Sequence, residues 1–377
     1  MAIAEIKEQW QVKATHEISY NVIETEDIFS LENTLLANRI VSANKRCLII
    51  IDTNVKKIYG NNITKYFNYH GISTTEVCLF VTEEQKEIKK IFEIVHAADN
   101  FSLLRRSEPV IAIGGGVLLD IVGLFANIYR RGIPYIRIPT TLMGLIDAGI
   151  GVKTGVNFSS HKNRLGTYFA PSVVYLDRQF IKTLNKRHIV NGIAEIIKIA
   201  LVKNRELFEL LEAKADTIVN DCMQGKSYSR IFELSVCGML EELAPNLWEK
   251  QLERAVDFGH TFSPKIEMQV LPKLLHGEAV SVDMAVSMVL SAKRNLTSCD
   301  DTNRALNLLR KIGLPIFHDV CTANFLYECI KDATLHRDGL QRIPLTVGIG
   351  NVSFFNDISM QELTLVLKEI KNLNLCA

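Results

Sequence analysis

Five short apolar runs in the first half of this chain alternate with longer stretches that can be helical. They lie at residues 47–52, 76–82, 109–114, 135–139 and 173–177. Their apolar character is continuous rather than alternating, which is typical of parallel strands covered by helices on both faces. The pattern predicts an α/β fold that begins with a Rossmann-like parallel-sheet domain over residues 1–178.

The second half has a different pattern, made of long amphipathic segments. These occur at residues 188–202, 205–219, 231–243 and 278–293. They predict an all-helical C-terminal domain over residues 179–377. A chain of 377 residues is long enough to form two hydrophobic cores of this kind.

Composition excludes several partners. The 43 Lys and Arg residues nearly balance the 42 Asp and Glu residues, so no overall field attracts nucleic acid or an anionic membrane. The beginning of the chain lacks a signal-peptide pattern, and no apolar run has the length of a membrane span, so we expect a cytoplasmic protein. Eight scattered cysteines without a C-x-x-C pair predict reduced, mostly structural thiols.

The segment 139–168 carries the richest set of polar side chains. It places Asp147, Lys153, Lys162, Asn163 and Arg164 among glycines and small apolar residues. Glycine allows the backbone to approach a ligand closely, and lysines in such a setting can bind phosphate. The alternative is an ordinary solvated connection between two elements.

A glycine triplet at 114–116 directly follows an apolar run, with Asp120 one helical turn later. Such a turn can present backbone N–H groups and a helix N-terminus to a pyrophosphate. It is not G-x-G-x-x-G, so a simple tight turn is the alternative. Polar residues after two other predicted strands favour a ligand at the same sheet edge: Asp52, Asn54, Glu83 and Lys86.

A metal site is predicted in the second half. Glu195 and Lys198 are three residues apart on a mostly apolar helix and therefore share one face. Burying a carboxylate without a partner costs free energy, and coordination to a metal ion is one way to offset that cost. The alternative interpretation is an ion pair between Glu195 and Lys198 on the helix surface. One glutamate with His260 and His276 would suit a catalytic zinc ion.

Several motifs along the chain resemble those of the sugar phosphate cyclases, the family of 3-dehydroquinate synthase. They are G-G-G-x-x-x-D, P-T-T-L-x-x-x-x-D, the K-T and K-N pairs, N-G-x-A-E-x-x-K, F-G-H-T and L-H-G-E, in the family's order over nearly the whole chain. The resemblance implies NAD and zinc, with cobalt as an alternative metal, in a cleft between the two domains. It also implies a homodimer and a small-molecule sugar phosphate substrate, whereas the charge balance already predicts no nucleic-acid or membrane partner.

The resemblance assigns roles residue by residue. Glu195, His260 and His276 match the zinc ligands. Residues that resemble the NAD contacts are Asp52, Asn54, Glu83, Lys86, Gly115, Gly116, Asp120, Thr140, Thr141, Lys162 and Thr183. Those that resemble substrate-binding or catalytic positions are Asp147, Lys153, Asn163, Lys198, Glu249 and Arg337, with Arg131 directed to the neighbouring subunit's phosphate.

Departures from the family pattern bear on the substrate. Asp257 and Pro264 replace the Asn and second His of N-F-G-H-x-x-G-H, and Glu253 stands where an Arg is expected. An expected substrate lysine falls near Gly238 or Met239. With two cations and an imidazole lost, we expect a neutral polyol head with a phosphate tail rather than a carboxylate substrate.

The strings D-A-G-I-G-V-K-T-G-V-N-F, K-N-R-L-G-T-Y and E-E-L-A-P-N-L-W-E resemble the sedoheptulose 7-phosphate cyclases, which form C7 cyclitols such as 2-epi-5-epi-valiolone. This resemblance implies transient oxidation by NAD, phosphate elimination, re-reduction and an intramolecular aldol closure. Lys153 and Lys198 would hold phosphate and polar substrate groups, and Asp147 and Asp257 would orient hydroxyls. The alternatives are the 2-epi-valiolone isomer as product, a 3-dehydroquinate synthase, a metal-dependent polyol dehydrogenase and a non-catalytic sugar phosphate binding protein.

Overall fold

A six-stranded parallel sheet forms the N-terminal half of the computed structural model, which describes residues 10–40, 44–159 and 161–375. The strand order is β1-β8-β5-β4-β2-β3. The strands are β1 Asn21–Thr25, β2 Arg46–Asp52, β3 Ser73–Leu79, β4 Val110–Gly114, β5 Tyr135–Pro139 and β8 Val173–Asp177. Three long helices flank them: α1 Thr53–Tyr69, α2 Ile88–Asn100 and α3 Gly116–Ile128.

Strand β2 shows why its sequence is apolar throughout. Leu48 and Ile50 pack in a core with α2 and α3, whereas Ile49 and Ile51 pack in a second core with α1. Both faces of the strand are therefore buried, as the continuous apolar run predicts. The predicted parallel α/β domain is confirmed.

The predicted strand at 76–82 is displaced, because β3 begins at Ser73 and ends at Leu79. β3 lies at the edge of the sheet, and its exposed polar first residues gave no apolar signal. A further antiparallel pair was not predicted: β6 Lys153–Phe158 and β7 His161–Tyr168 form a hairpin inside the segment that the sequence marked as ligand-binding.

The C-terminal half is helical apart from a hairpin of β9 Ile343–Thr346 and β10 Val352–Phe355. Its helices are α4 Lys186–Lys203, α5 Arg205–Lys214, α6 Ser229–Leu243, α7 Ser263–Val270, α8 His276–Lys293, α9 Cys299–Ile312, α10 Ala323–His336 and α11 Met360–Leu375. Helix α8 is buried over most of its length and packs against α4, α7, α9 and α11. The predicted helix at 205–219 ends earlier, at Lys214.

None of the helices in the described ranges is long and apolar enough to cross a membrane. The cysteines within those ranges are free thiols, and Cys47, Cys321 and Cys329 are buried. Cys376 and the first nine residues lie outside the described ranges.

Candidate functional site

A cleft of about 1600 Å³ opens where the carboxyl ends of the parallel strands face α4, α8 and α10. All of the predicted site residues line it except Glu195 and Arg131. Glu195 is completely buried beside the cleft, and Arg131 lies on the exposed turn between α3 and β5. The fold thus gathers side chains that lie far apart in the sequence.

The turn between β4 and α3 is closely packed at its glycines. A Cβ atom on Gly115 would lie 3.0 Å from Thr141 Cγ2, and one on Gly116 would lie 3.0 Å from Ala148 Cβ. The turn leads into the N-terminus of α3, where free N–H groups can bind phosphate oxygens. This geometry favours the pyrophosphate interpretation over a simple tight turn.

A polar cluster lies beside this turn. Lys86 Nζ donates to Asp120 Oδ2 at 2.6 Å and to Asn163 Oδ1 at 2.5 Å. Burial raises the pKa of Glu83, but the ammonium groups of Lys162 and Lys86 outweigh it and keep the carboxyl ionised. These contacts join the segment after β3 to α3 and to the β6–β7 hairpin.

The far end of the cleft is also polar. Asp52 caps α1, and its Oδ1 accepts from the Asn54 N–H at 2.8 Å. The hydroxyls of Tyr59 and Thr183 are 2.7 Å apart, which links α1 to the segment after β8. Sequence reasoning missed Tyr59, which also lines the cleft.

Three potential metal ligands converge from separate elements. Glu195 comes from α4, His260 from the loop before α7, and His276 from the first position of α8. Their ligand atoms all lie within 4.8 Å of one another. Nε2 of His276 is 3.4 Å and Nε2 of His260 is 3.8 Å from Glu195 Oε1.

The buried state of Glu195 tests whether these residues fit a metal ion. Neither carboxylate oxygen makes a hydrogen bond of ordinary geometry, although Oε2 contacts the Lys198 ammonium. Burial raises the pKa of Glu195, but Lys198 and the two imidazoles outweigh it and hold the pKa well below its usual range. An ionised, fully buried carboxylate facing two imidazoles is a donor set that fits Zn²⁺.

Glu267 on α7 orients one of these imidazoles. Its Oε2 lies 2.8 Å from His276 Nδ1 and accepts from Lys162 Nζ at 2.7 Å. This contact turns His276 Nε2 towards Glu195, as in carboxylate–histidine–metal arrangements. Sequence reasoning missed Glu267 and assigned Lys162 to the cofactor alone, although its ammonium is also 3.3 Å from His276 Nδ1.

The two imidazoles differ in charge. Burial and the nearby Lys198 lower the pKa of His260 to about 3, which leaves the neutral form that ligates metals. Burial and Lys162 lower the pKa of His276, but Glu267 and Glu195 outweigh them and raise it to about 9. Metal binding at neutral pH should therefore release a proton from His276.

We expect Glu267→Gln to weaken metal binding by about 10- to 100-fold, because the amide cannot hold His276 Nδ1 as a carboxylate does. Competition against a chromophoric chelator measures this affinity directly. Glu209→Gln is the matched control, since Glu209 is exposed and pairs with the neighbouring Arg205 on the surface of α5. Equal zinc affinity in Glu267→Gln and the wild type would contradict this role.

On the opposite wall, Arg254 forms ion pairs with Glu249 and Asp257, and Glu249 also pairs with Lys153. The sequence indicated that a cation is lost where Glu253 replaces arginine. Glu253 lies 3.6 Å from Arg342, whereas the next residue, Arg254, lines the cleft. A guanidinium is therefore present at this wall, where it pairs with two carboxylates.

Three further predicted residues complete the cleft wall. Lys198 Nζ lies 4.0 Å from Asp147 Oδ2, so its ammonium sits between Asp147 and Glu195. Arg337 is buried and donates to the Gln341 carbonyl at 2.9 Å. Burial raises the pKa of Asp147 and lowers that of Arg337.

Two family models match consecutive parts of the chain. The 3-dehydroquinate synthase N-terminal model matches residues 76–191, and the C-terminal model matches residues 192–334. The chain belongs to the 3-dehydroquinate synthase family. The family predicted from the motifs is confirmed.

Characterised members of the 3-dehydroquinate synthase family include close relatives of this chain. A 2-epi-5-epi-valiolone synthase of Actinomyces sp. is 47% identical over 97% of this chain and 98% of its own length. A demethyl-4-deoxygadusol synthase of Trichormus variabilis is 37% identical over 97% and 90%. A 2-epi-5-epi-valiolone synthase of Streptomyces hygroscopicus subsp. jinggangensis, solved with NAD⁺ and Zn²⁺ bound, matches with a TM-score of 0.94 and 47% identity over 97% of this chain and 100% of that chain.

Proposed function

We propose that this protein converts sedoheptulose 7-phosphate into 2-epi-5-epi-valiolone and phosphate, with NAD and zinc bound in the cleft. The observation that carries the proposal is the meeting of the Glu195–His260–His276 set and the glycine turn at one cleft. The 47% identity to 2-epi-5-epi-valiolone synthases, one of them solved with NAD⁺ and Zn²⁺, supports the specific product and cofactors.

Two groups of residues at the cleft would bind the two cofactors. Glu195, His260 and His276 would hold the metal, while the turn at Gly115 and Gly116 would hold the NAD pyrophosphate. When bound, the metal supplies a Lewis acid at a substrate hydroxyl, and NAD supplies a reversible hydride acceptor. The residues around them bind and orient the sugar.

Lys198 and Asp147 lie next to the metal-ligand set and would bind the reacting end of the sugar. The Lys198 ammonium can donate to a substrate oxygen, and the Asp147 carboxylate can accept from a hydroxyl. Lys153, whose side chain remains 56% exposed to the cleft, would meet the phosphate. Fixing the sugar in this way brings the phosphate and the acidified C–H together, so that elimination needs little further motion.

The wall formed by Arg254, Glu249 and Asp257 favours a polyol over a carboxylate. Because the cations of this wall, Arg254 and Lys153, already pair with Glu249 and Asp257, a substrate carboxylate would have to compete with these two acidic side chains. Substrate hydroxyls can instead donate to these carboxylates. The charges on this wall therefore favour sedoheptulose 7-phosphate over the carboxylate-bearing substrate of a 3-dehydroquinate synthase.

One assay tests the proposed function. The purified protein is incubated with sedoheptulose 7-phosphate, NAD and zinc or cobalt, while phosphate and NADH are measured together. We expect phosphate release without NADH accumulation, since the hydride returns to the substrate. NADH without phosphate would indicate a polyol dehydrogenase, and neither product would contradict this substrate. NMR of the product separates 2-epi-5-epi-valiolone from 2-epi-valiolone.

The proposal extends to a homodimer in which Arg131 acts across subunits. Arg131 is exposed, has φ of 61° and does not line its own cleft. Light scattering should therefore give twice the chain mass of 42.5 kDa.

Co-expressed Arg131→Ala and His276→Ala chains should regain about a quarter of wild-type activity, because half of the dimers are mixed and each mixed dimer contains one intact site of two. Full activity of the Arg131→Ala protein alone would place Arg131 outside the active site, and no recovery in verified mixed dimers would contradict its action across subunits.

A further inference from the structure

Arg137, near the middle of β5, carries a buried charge that sequence analysis did not notice. Its side chain is completely inaccessible to solvent. Within the described ranges, no carboxylate lies within ion-pair distance of its guanidinium. A guanidinium remains charged at any physiological pH, and burying it without compensation is very costly. The structure must therefore provide another partner.

That partner is the backbone of one loop. The loop runs from Asp147, through Gly149 and Gly151, to Lys153 at the start of β6. The guanidinium donates to four of its carbonyl oxygens: Ala148 at 3.4 Å, Gly149 at 3.3 Å and Gly151 at 2.5 Å from Nη1, and Lys153 at 3.1 Å from Nη2. Within the described ranges Nε makes no hydrogen bond, and the guanidinium carbon lies 5.4 Å from the centroid of the Tyr135 ring.

The surroundings are shaped to admit this side chain. A Cβ atom on Gly123 of α3 would lie 3.2 Å from Arg137 Nη2 and 2.4 Å from Thr154 Cγ2. Tyr20 adds a further donor, since its hydroxyl binds the Ile150 carbonyl at 2.8 Å. The side chains of Arg137 and Tyr20 thus hold the loop through hydrogen bonds to its carbonyl oxygens.

We infer that Arg137 is a positioning residue that fixes the 147–153 loop and thereby sets the separation of Asp147 and Lys153 in the cleft. The inference rests on the proposed function in so far as those two side chains bind substrate. A lysine could not replace Arg137, because its single ammonium group cannot donate hydrogen bonds to four separate carbonyl oxygens as the planar guanidinium does. A methionine would leave all four oxygens without their donor.

Hydrogen exchange tests the inference without any substrate. In Arg137→Lys and Arg137→Met, amides of residues 148–153 should exchange at least about tenfold faster, because charge-assisted hydrogen bonds are lost. Amides of β2 and β3 should be unchanged. Arg230→Lys is the control, since Arg230 is a half-exposed arginine on α6 that pairs with Glu206. Unchanged exchange of the loop in both variants would overturn the inference.

Kinetics and chemical rescue provide the second test. In Arg137→Lys, the KM for sedoheptulose 7-phosphate should rise about tenfold, while NAD and zinc affinities stay within about twofold of wild type. In Arg137→Ala, millimolar guanidinium should restore both slow loop exchange and the KM. If Arg137→Ala does not fold, Arg137→Lys decides alone.

Faster exchange throughout the sheet without guanidinium rescue would overturn the inference, because it would indicate only a general packing role. A wild-type protein inactive on this sugar would contradict the proposed function, whereas the exchange result would still decide the role of Arg137.

Discussion

Replacing His276 with alanine should remove metal retention and turnover together. The substitution deletes one of three converging ligands, and it leaves Glu195 fully buried with one imidazole fewer near its Oε1 atom. Lewis-acid stabilisation is worth several kcal/mol, so phosphate release from sedoheptulose 7-phosphate should fall by about a thousandfold or more.

The measurement pairs metal content, by plasma mass spectrometry after dialysis, with phosphate release. NAD affinity should remain near that of the wild type, because the glycine turn belongs to the other domain. His96→Ala is the matched control, since His96 is exposed on α2 and distant from the cleft lining. A metal-free His276→Ala protein that still turned over would rule out the zinc assignment.

The sheet could be predicted from the sequence where burial on both faces leaves a continuous apolar run, as in β2 and β4. The β6–β7 hairpin could not, because its strands approach unusually closely at glycines, which are poor strand formers. A Cβ atom on Gly166 would lie 2.5 Å from the Thr154 carbonyl oxygen. The same glycines that allow the hairpin to form made the segment look like a loop.

The site was predicted to the extent that its residues belong to motifs. Glu195 and Lys198 share one helical turn, so their contact follows from spacing alone. The sequence did not reveal three other residues whose partners come close only in the folded chain: Glu267, Arg254 and Arg137. The Lys162 ammonium beside Glu267 is one such partner. No periodicity in the sequence marks such contacts, and Arg254 lies one position away from where the family pattern directs attention.

Gly115→Val should abolish NAD binding while leaving the metal site intact. Even a Cβ atom at Gly115 would lie 3.0 Å from Thr141 Cγ2, and the two valine methyl groups would extend further into the space between β4 and the cleft. A pyrophosphate can reach the N–H groups at the start of α3 only if the backbone there is bare. We expect NAD affinity, measured by calorimetry, to fall by about a hundredfold or more, and turnover to fall with it.

Gly60→Ala is the control for the glycine substitution itself. Gly60 lies within α1, where the three atoms nearest to an added methyl belong to the Lys56 side chain, so a small shift of that side chain should accommodate it and NAD affinity should not change. Zinc content distinguishes local from global damage in Gly115→Val. If that variant retained zinc and also bound NAD normally, the pyrophosphate would have to lie elsewhere in the cleft. The polar cluster around Lys86 and Asp120, next to the same turn, would then have to be explained without a dinucleotide.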